Sequence, residues 1–224
     1  AHPLAQHNMP ATILDGNSIA AAIKEKVAQQ VREMTAAGVR PGLVAVLHVG
    51  RGDGYFYCVM EVADDQQTGS QIHPSQYVPR TLSSELARRG RLPVAECAQC
   101  GLALTAALEH LHQQGWVHRD IKPSNILFIH GAPKFADLGL VTGIGEAAPW
   151  VGTDGYIPPE GPGAVAADLY SLGKVLYEIS LGKDREEFPE LPTQLRELPD
   201  ASALVQFNSI LLRACASDPQ RRFA

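Results

Sequence analysis

The apolar residues of this chain change period several times, and each change predicts an element. From Ile19 they recur at Ile23, Val27 and Val31, with Met34 near the end. That four-residue step draws one stripe along a helix reaching about Ala37. The turn Asp15-Gly16-Asn17-Ser18 caps its start, and Gly38 with Pro41 ends it. Leu43 to Val49, apolar except for His48, is of strand length and predicts a buried strand. Tyr55 to Val62 predicts a second, joined to the first by a hairpin turn at Arg51-Gly52-Asp53-Gly54. Ala63 to Ser70 is polar and reads as a linker. Residues 71–80, with Pro74 and Pro79, are irregular. Thr81 caps a short helix through Ala87. Pro93 opens a longer one, with Ala98, Leu102, Ala106, Leu108 and Leu111 on its apolar side, ending near Gly115. Ile126–Phe128 and Pro133–Ala136 predict short strands. Asp168 opens a helix to about Leu181, and a proline-rich stretch over 188–199 leads to a last helix from about Ser202 to Ala216.

Composition narrows the class without naming it. A chain of 224 residues, 45% hydrophobic and 19% charged, suits an ordinary globular protein with one good core or two small ones. A net charge of −5 argues against a general grip on nucleic acid, which needs clustered Lys and Arg. No apolar run approaches the length of a membrane span and no secretory pattern opens the chain, so a cytoplasmic location is expected. Cys97 and Cys100 have a redox or metal-like spacing. They fall in a predicted helix with no second pair, and small helix residues in a reducing cytosol is the reading preferred. Residues 1–8 read as a flexible arm.

The chemistry is concentrated in His118-Arg119-Asp120-Ile121-Lys122-Pro123-Ser124-Asn125. Twelve residues after Asn125 comes Asp137-Leu138-Gly139, and fifteen after Asp137 comes Gly152-Thr153-Asp154-Gly155-Tyr156-Ile157-Pro158-Pro159-Glu160. In this order and spacing the three segments resemble the catalytic loop, magnesium-binding tripeptide and activation-segment end of protein kinases. Lys122 favours the serine/threonine branch, with a bacterial flavour. The resemblance covers about residues 48–224 and implies an α+β fold: a mainly helical large lobe over 81–224, a hinge or linker over 63–80, and a reduced small lobe over 9–62. It implies that Asp120 orients the acceptor hydroxyl and receives its proton, with Lys122 near the migrating phosphoryl group. Asn125 and Asp137 are hard oxygen ligands suited to magnesium. Met60 would be the gatekeeper, the backbone of Glu61 and Ala63 would face adenine, and Leu127 would join them in binding nucleotide. The remaining motif residues carry structural roles. His118 and Arg119 hold the loop, Asp168 caps its backbone from below, and Glu160 with Arg222 forms a buried ion pair. Thr153 is expected to touch Asp120 and Lys122.

Upstream the pattern departs from that family. Met9 to Leu47 resembles the N-terminus of methylenetetrahydrofolate dehydrogenase/cyclohydrolase, although Tyr57 is followed four places later by Glu61 where that family has lysine. No Gly-x-Gly-x-x-Gly and no Val-Ala-x-Lys strand occurs in these 224 residues. The expectation is therefore a chimeric, truncated kinase-like chain with ATP and magnesium bound weakly or not at all, and little normal phosphotransfer. Two strands with exposed edges and an uncovered apolar face favour a homodimer or a protein partner. A weakly active phosphotransferase acting on protein is the alternative.

Overall fold

The computed structural model describes residues 42–52, 55–146 and 150–223, which fall within one compact unit. The helix expected over Ile19–Ala37, the arm over 1–8 and the folate-enzyme resemblance up to residue 41 lie outside the described residues. Among the described residues four helices carry the architecture: α1 (Leu82–Arg89), α2 (Val94–Gln113), α3 (Val165–Leu181) and α4 (Ala201–Ala214). Six short strands, β1 (Val46–Gly52), β2 (Tyr55–Met60), β3 (Trp116–Val117), β4 (Ile126–Ile129), β5 (Ala132–Phe135) and β6 (Thr142–Gly143), pair as antiparallel ribbons β1–β2, β3–β6 and β4–β5. The class is the expected mainly helical α+β.

Two expectations about burial need correction. The long helix α2 does bury one face, but the face is Val94, Cys97, Cys100, Gly101, Leu104, Ala107, Leu108 and Leu111. Leu102 is 73% exposed, Ala106 is exposed and Ala98 only half-buried. Small and sulfur-bearing residues line the true face because α2 is packed on from several sides, so residue size rather than hydropathy selects it. Leu43–Val49 is not a buried strand throughout. Leu43 and Val44 are buried, tied to β5 by Val44 N–H to the Phe135 carbonyl at 2.8 Å and Phe135 N–H to the Gly42 carbonyl at 2.7 Å. Gly42, at φ +95°, passes so close to α2 that a Cβ would lie 2.3 Å from the Ala107 Cβ. Beyond Val44 the chain leaves the core and pairs only with β2, so Leu47 is 66% exposed.

Helix α3 starts at Val165, three residues before the expected Asp168, and is buried along most of its length. Its Gly173 meets α4, where an added Cβ would stand 2.6 Å from the Cys215 Sγ and 3.1 Å from the Ala214 Cβ, so the two helices approach backbone to side chain. The linker is tied down by paired acids. Asp64 accepts the backbone N–H groups of His130 and Gly131 at 3.0 and 2.8 Å, holding the β4–β5 turn. Asp65 accepts those of Gln67, Thr68 and Val78, each at 2.9 Å, and these bonds hold its carboxyl well below the usual range.

Candidate functional site

Helix α2 delivers the chain through β3 into the loop His118–Asn125, and α3 holds that loop from beneath. Asp168, in the first turn of α3, accepts the backbone N–H of His118 at 2.8 Å and of Arg119 at 2.9 Å, while His112 Nε2 lies 2.9 Å from the same carboxylate. Arg119 takes φ +73°, a conformation that costs a non-glycine residue about 1 kcal/mol or more. The two bonds to Asp168 fix the backbone there. His118 is fully buried against Phe135, and burial holds its imidazole below the ordinary histidine value, hence neutral.

Three side chains, two from the loop and one from beyond it, converge on one carboxylate. Asp120 Oδ1 accepts the Thr153 hydroxyl at 2.7 Å. Its Oδ2 lies 2.8 Å from Lys122 Nζ and accepts Asn125 Nδ2 at 2.8 Å. Lys122 also donates to Thr153 Oγ1 at 2.9 Å, closing a triangle of Asp120, Lys122 and Thr153. Burial works to raise the Asp120 carboxyl, but Lys122, Thr153 and Asn125 outweigh it and the group sits below its ordinary value. A carboxylate offers about four acceptor positions. Three are used here, which leaves room for one incoming hydroxyl.

Beside this cluster lie Asn125 and Asp137, the two residues expected to supply oxygen ligands. Ala136 N–H donates to the Asn125 carbonyl at 2.8 Å, which sets Asp137 next in line along the neighbouring strand end. The Nδ2 of Asn125 is committed to the carbonyl and carboxylate of Asp120, so its Oδ1 is the atom left to bind a cation. Asp137 is exposed, takes the left-handed conformation at φ +58°, and accepts the Gly139 N–H at 3.3 Å. An amide oxygen and a carboxylate fit a hard cation that keeps water or phosphate oxygens as its other ligands. No cluster of three or more His, Cys, Asp or Glu side chains suited to a metal occurs among the described residues.

A family model for the protein kinase domain matches residues 15–208. The chain belongs to the protein kinase family. It is similar to the serine/threonine-protein kinase PknG of Mycolicibacterium smegmatis, 30% identical over 203 residues that cover 89% of this chain and 25% of that protein. It is also similar to PrkC of Bacillus subtilis, 29% identical with 82% of this chain and 29% of that kinase covered. For PknB of Mycobacterium leprae the figures are 30%, 82% and 31%. The chain thus spans about a quarter to a third of the length of these bacterial kinases. The family match starts at residue 15, well upstream of residue 48, where the kinase resemblance was expected to begin.

Glu61, expected to face nucleotide, is half-buried. Its N–H donates to the Ala45 carbonyl at 2.9 Å, and its side chain accepts the Ala45 N–H and Lys134 Nζ, both at 2.7 Å. Ala63 is buried and its carbonyl accepts the Tyr77 hydroxyl at 3.2 Å. None of these bonds uses the Glu61 carbonyl or the Ala63 N–H, the groups expected to face adenine. Leu127 packs against Val44, Ala63, Ile129 and Ala136, and so joins the linker to β4. Met60 is 42% exposed at the end of β2.

Glu160 and Arg222 meet through paired oxygens and nitrogens, the second contact at 3.0 Å. Arg222 is buried and also donates to the Ala166 and Ala216 carbonyls. Glu160 faces solvent, however, so only the arginine half of the expected buried pair is buried. Sequence reasoning missed a second polar cluster altogether. Tyr156 donates to Glu178 inside α3, Arg185 Nη1 lies 3.7 Å from Glu178, and Lys174 bonds the Arg185 carbonyl. Lys174 and Glu178 sit among apolar residues in Leu172-Gly173-Lys174-Val175-Leu176-Tyr177-Glu178. Charged residues four apart on an otherwise apolar helix were the available signal. No helix among the described residues is long and apolar enough to cross a membrane.

Proposed function

We propose that this chain is a serine/threonine kinase domain whose acceptor side is assembled and whose phosphate side is weak, so that it transfers phosphate slowly or not at all. The observation carrying the acceptor half is the convergence of Thr153, Lys122 and Asn125 on Asp120. In phosphoryl transfer the protein positions two anions and neutralises charge. Asp120, kept ionised, takes the acceptor hydroxyl in its remaining position and receives its proton late in the reaction. Lys122 stands beside the path of the phosphoryl group as a fixed cation. Asn125 and Asp137 would hold magnesium, which supplies the charge that bridges the phosphates. The weak half follows from these 224 residues carrying no glycine-rich loop pattern and no strand lysine. The chimeric origin of residues 9–47 belongs to the same reading.

Thermal shift with magnesium-ATP on wild type and Asp137→Ala tests it. A metal-dependent rise in melting temperature in wild type, lost in the variant, is the expected outcome. No shift in either protein would remove the nucleotide from the reading. A second reading, a self-associating module, is favoured by the apolar ribbon β1–β2, where Leu47, Tyr57, Val59, Met60 and the following Val62 are all exposed.

A further inference from the structure

Beside the catalytic loop opens a pocket of about 270 Å³ that shares Lys122 and Thr153 with the acceptor site and extends away from Asp120. Ser83 and Leu86 of α1 form one wall, Lys122 and Ser124 another, and Tyr156, Glu178 and Arg185 the third. Its ionised groups are not equally available. The Glu178 side chain is only 6% exposed, turned inward to the Tyr156 hydroxyl and Arg185, and burial raises its pKa. Lys122 and Arg185, by contrast, are 25% and 26% exposed. What the pocket offers a visitor is therefore two cations on separate walls.

Arg185 is held in place and is not a loose surface chain. Its Nε donates to the Asp154 carbonyl at 3.1 Å, and its Nη1 lies 3.3 Å from Asp184. Its guanidinium stands 4.9 Å from the centroid of the Tyr156 ring. The space it crosses exists because residue 155 is glycine, where a Cβ would stand 2.6 Å from the Arg185 Nε. A guanidinium fixed in advance loses little freedom on meeting a carboxylate. Lys122, two residues from Asp120 and bonded to it, places the pocket within a few residues of any acceptor hydroxyl at Asp120.

We infer that this pocket takes an acidic side chain of a peptide substrate close to the acceptor serine or threonine, and that Arg185 determines this specificity. The inference rests on the kinase reading for the word substrate, but the binding it describes does not need catalysis. Fluorescence polarisation without nucleotide separates the two. The probes are labelled peptides with one serine flanked, at each of three positions on either side, by Asp, Ala or Arg. At one position Asp should bind about tenfold tighter than Ala, and Arg more weakly than either. Arg185→Ala should erase the Asp preference and Arg185→Glu should turn it toward Arg. Ser83→Glu, at an exposed position of the α1 wall, should weaken the Asp peptide without touching the buried cluster, and it serves where Arg185 variants fail to fold. Equal affinity for Asp and Ala peptides in wild type, or an Asp preference that survives both Arg185→Ala and Ser83→Glu, overturns the inference. Acid-selective binding without any phosphate transfer would leave it standing and sink the kinase reading instead. Transfer to acidic and neutral peptides alike would do the reverse.

Discussion

Asp168 concentrates three hydrogen bonds on one buried carboxylate, and two of them satisfy the backbone N–H groups of His118 and Arg119. Asp168→Asn keeps one acceptor oxygen and turns the other into a donor facing an N–H. Leaving a buried donor unmet costs about 1–3 kcal/mol, so urea unfolding of this variant should show a loss of that size. Turnover, where measurable, should fall with it, because Arg119 loses the support for its positive φ. Glu85 gives a pH test. Burial pushes its carboxyl up, but Arg80 at 3.0 Å and Arg88 at 2.7 Å outweigh burial and place it below the ordinary value of 4.5. Its stabilisation is complete above that value and is lost as pH falls through the lowered one in the folded chain. The difference in melting temperature between wild type and Glu85→Gln should therefore be wide at neutral pH and narrow progressively as pH falls below 4.5. At this scale the catalytic loop could be read directly from residue spacing, because contacts within eight residues are set by local geometry. Glu85, Lys174 and Glu178 could not, because their partners are decided by which helix faces meet.

Among the elements, α2 shows where hydropathy misleads. Its apolar residues nearly encircle the helix, so several stripes compete, and the one that packs runs through cysteine, glycine and alanine. Leu104→Ala should cost about 2–5 kcal/mol in denaturant unfolding, whereas Leu102→Ala should stay within about 0.5 kcal/mol. A larger cost for Leu102→Ala than for Leu104→Ala would show that the helix packs on the face first expected. The strands followed the same logic in reverse. Ile126–Ile129 and Ala132–Phe135 were readable because a tight turn joins them. The burial of β1 was misjudged because an apolar run does not say whether a second layer covers it.

For the whole molecule, the exposed ribbon is the feature that ordinary globular packing does not account for. Apolar patches of this kind mark association surfaces. Sedimentation velocity on wild type should show a dimer growing in as concentration rises, and Leu47→Lys combined with Val59→Lys should return a monomer. A strict monomer for wild type at high concentration would dismiss association through the ribbon. The four thiols divide along the same line. Cys58 is exposed on that ribbon, while Cys97, Cys100 and Cys215 are buried in and beside α2 and α4, where burial pushes each up to about 12. An alkylating reagent applied to the folded chain therefore meets one sulfur at the surface. The other three become reachable only when the helices part, so the protein carries an internal tally of its own opening.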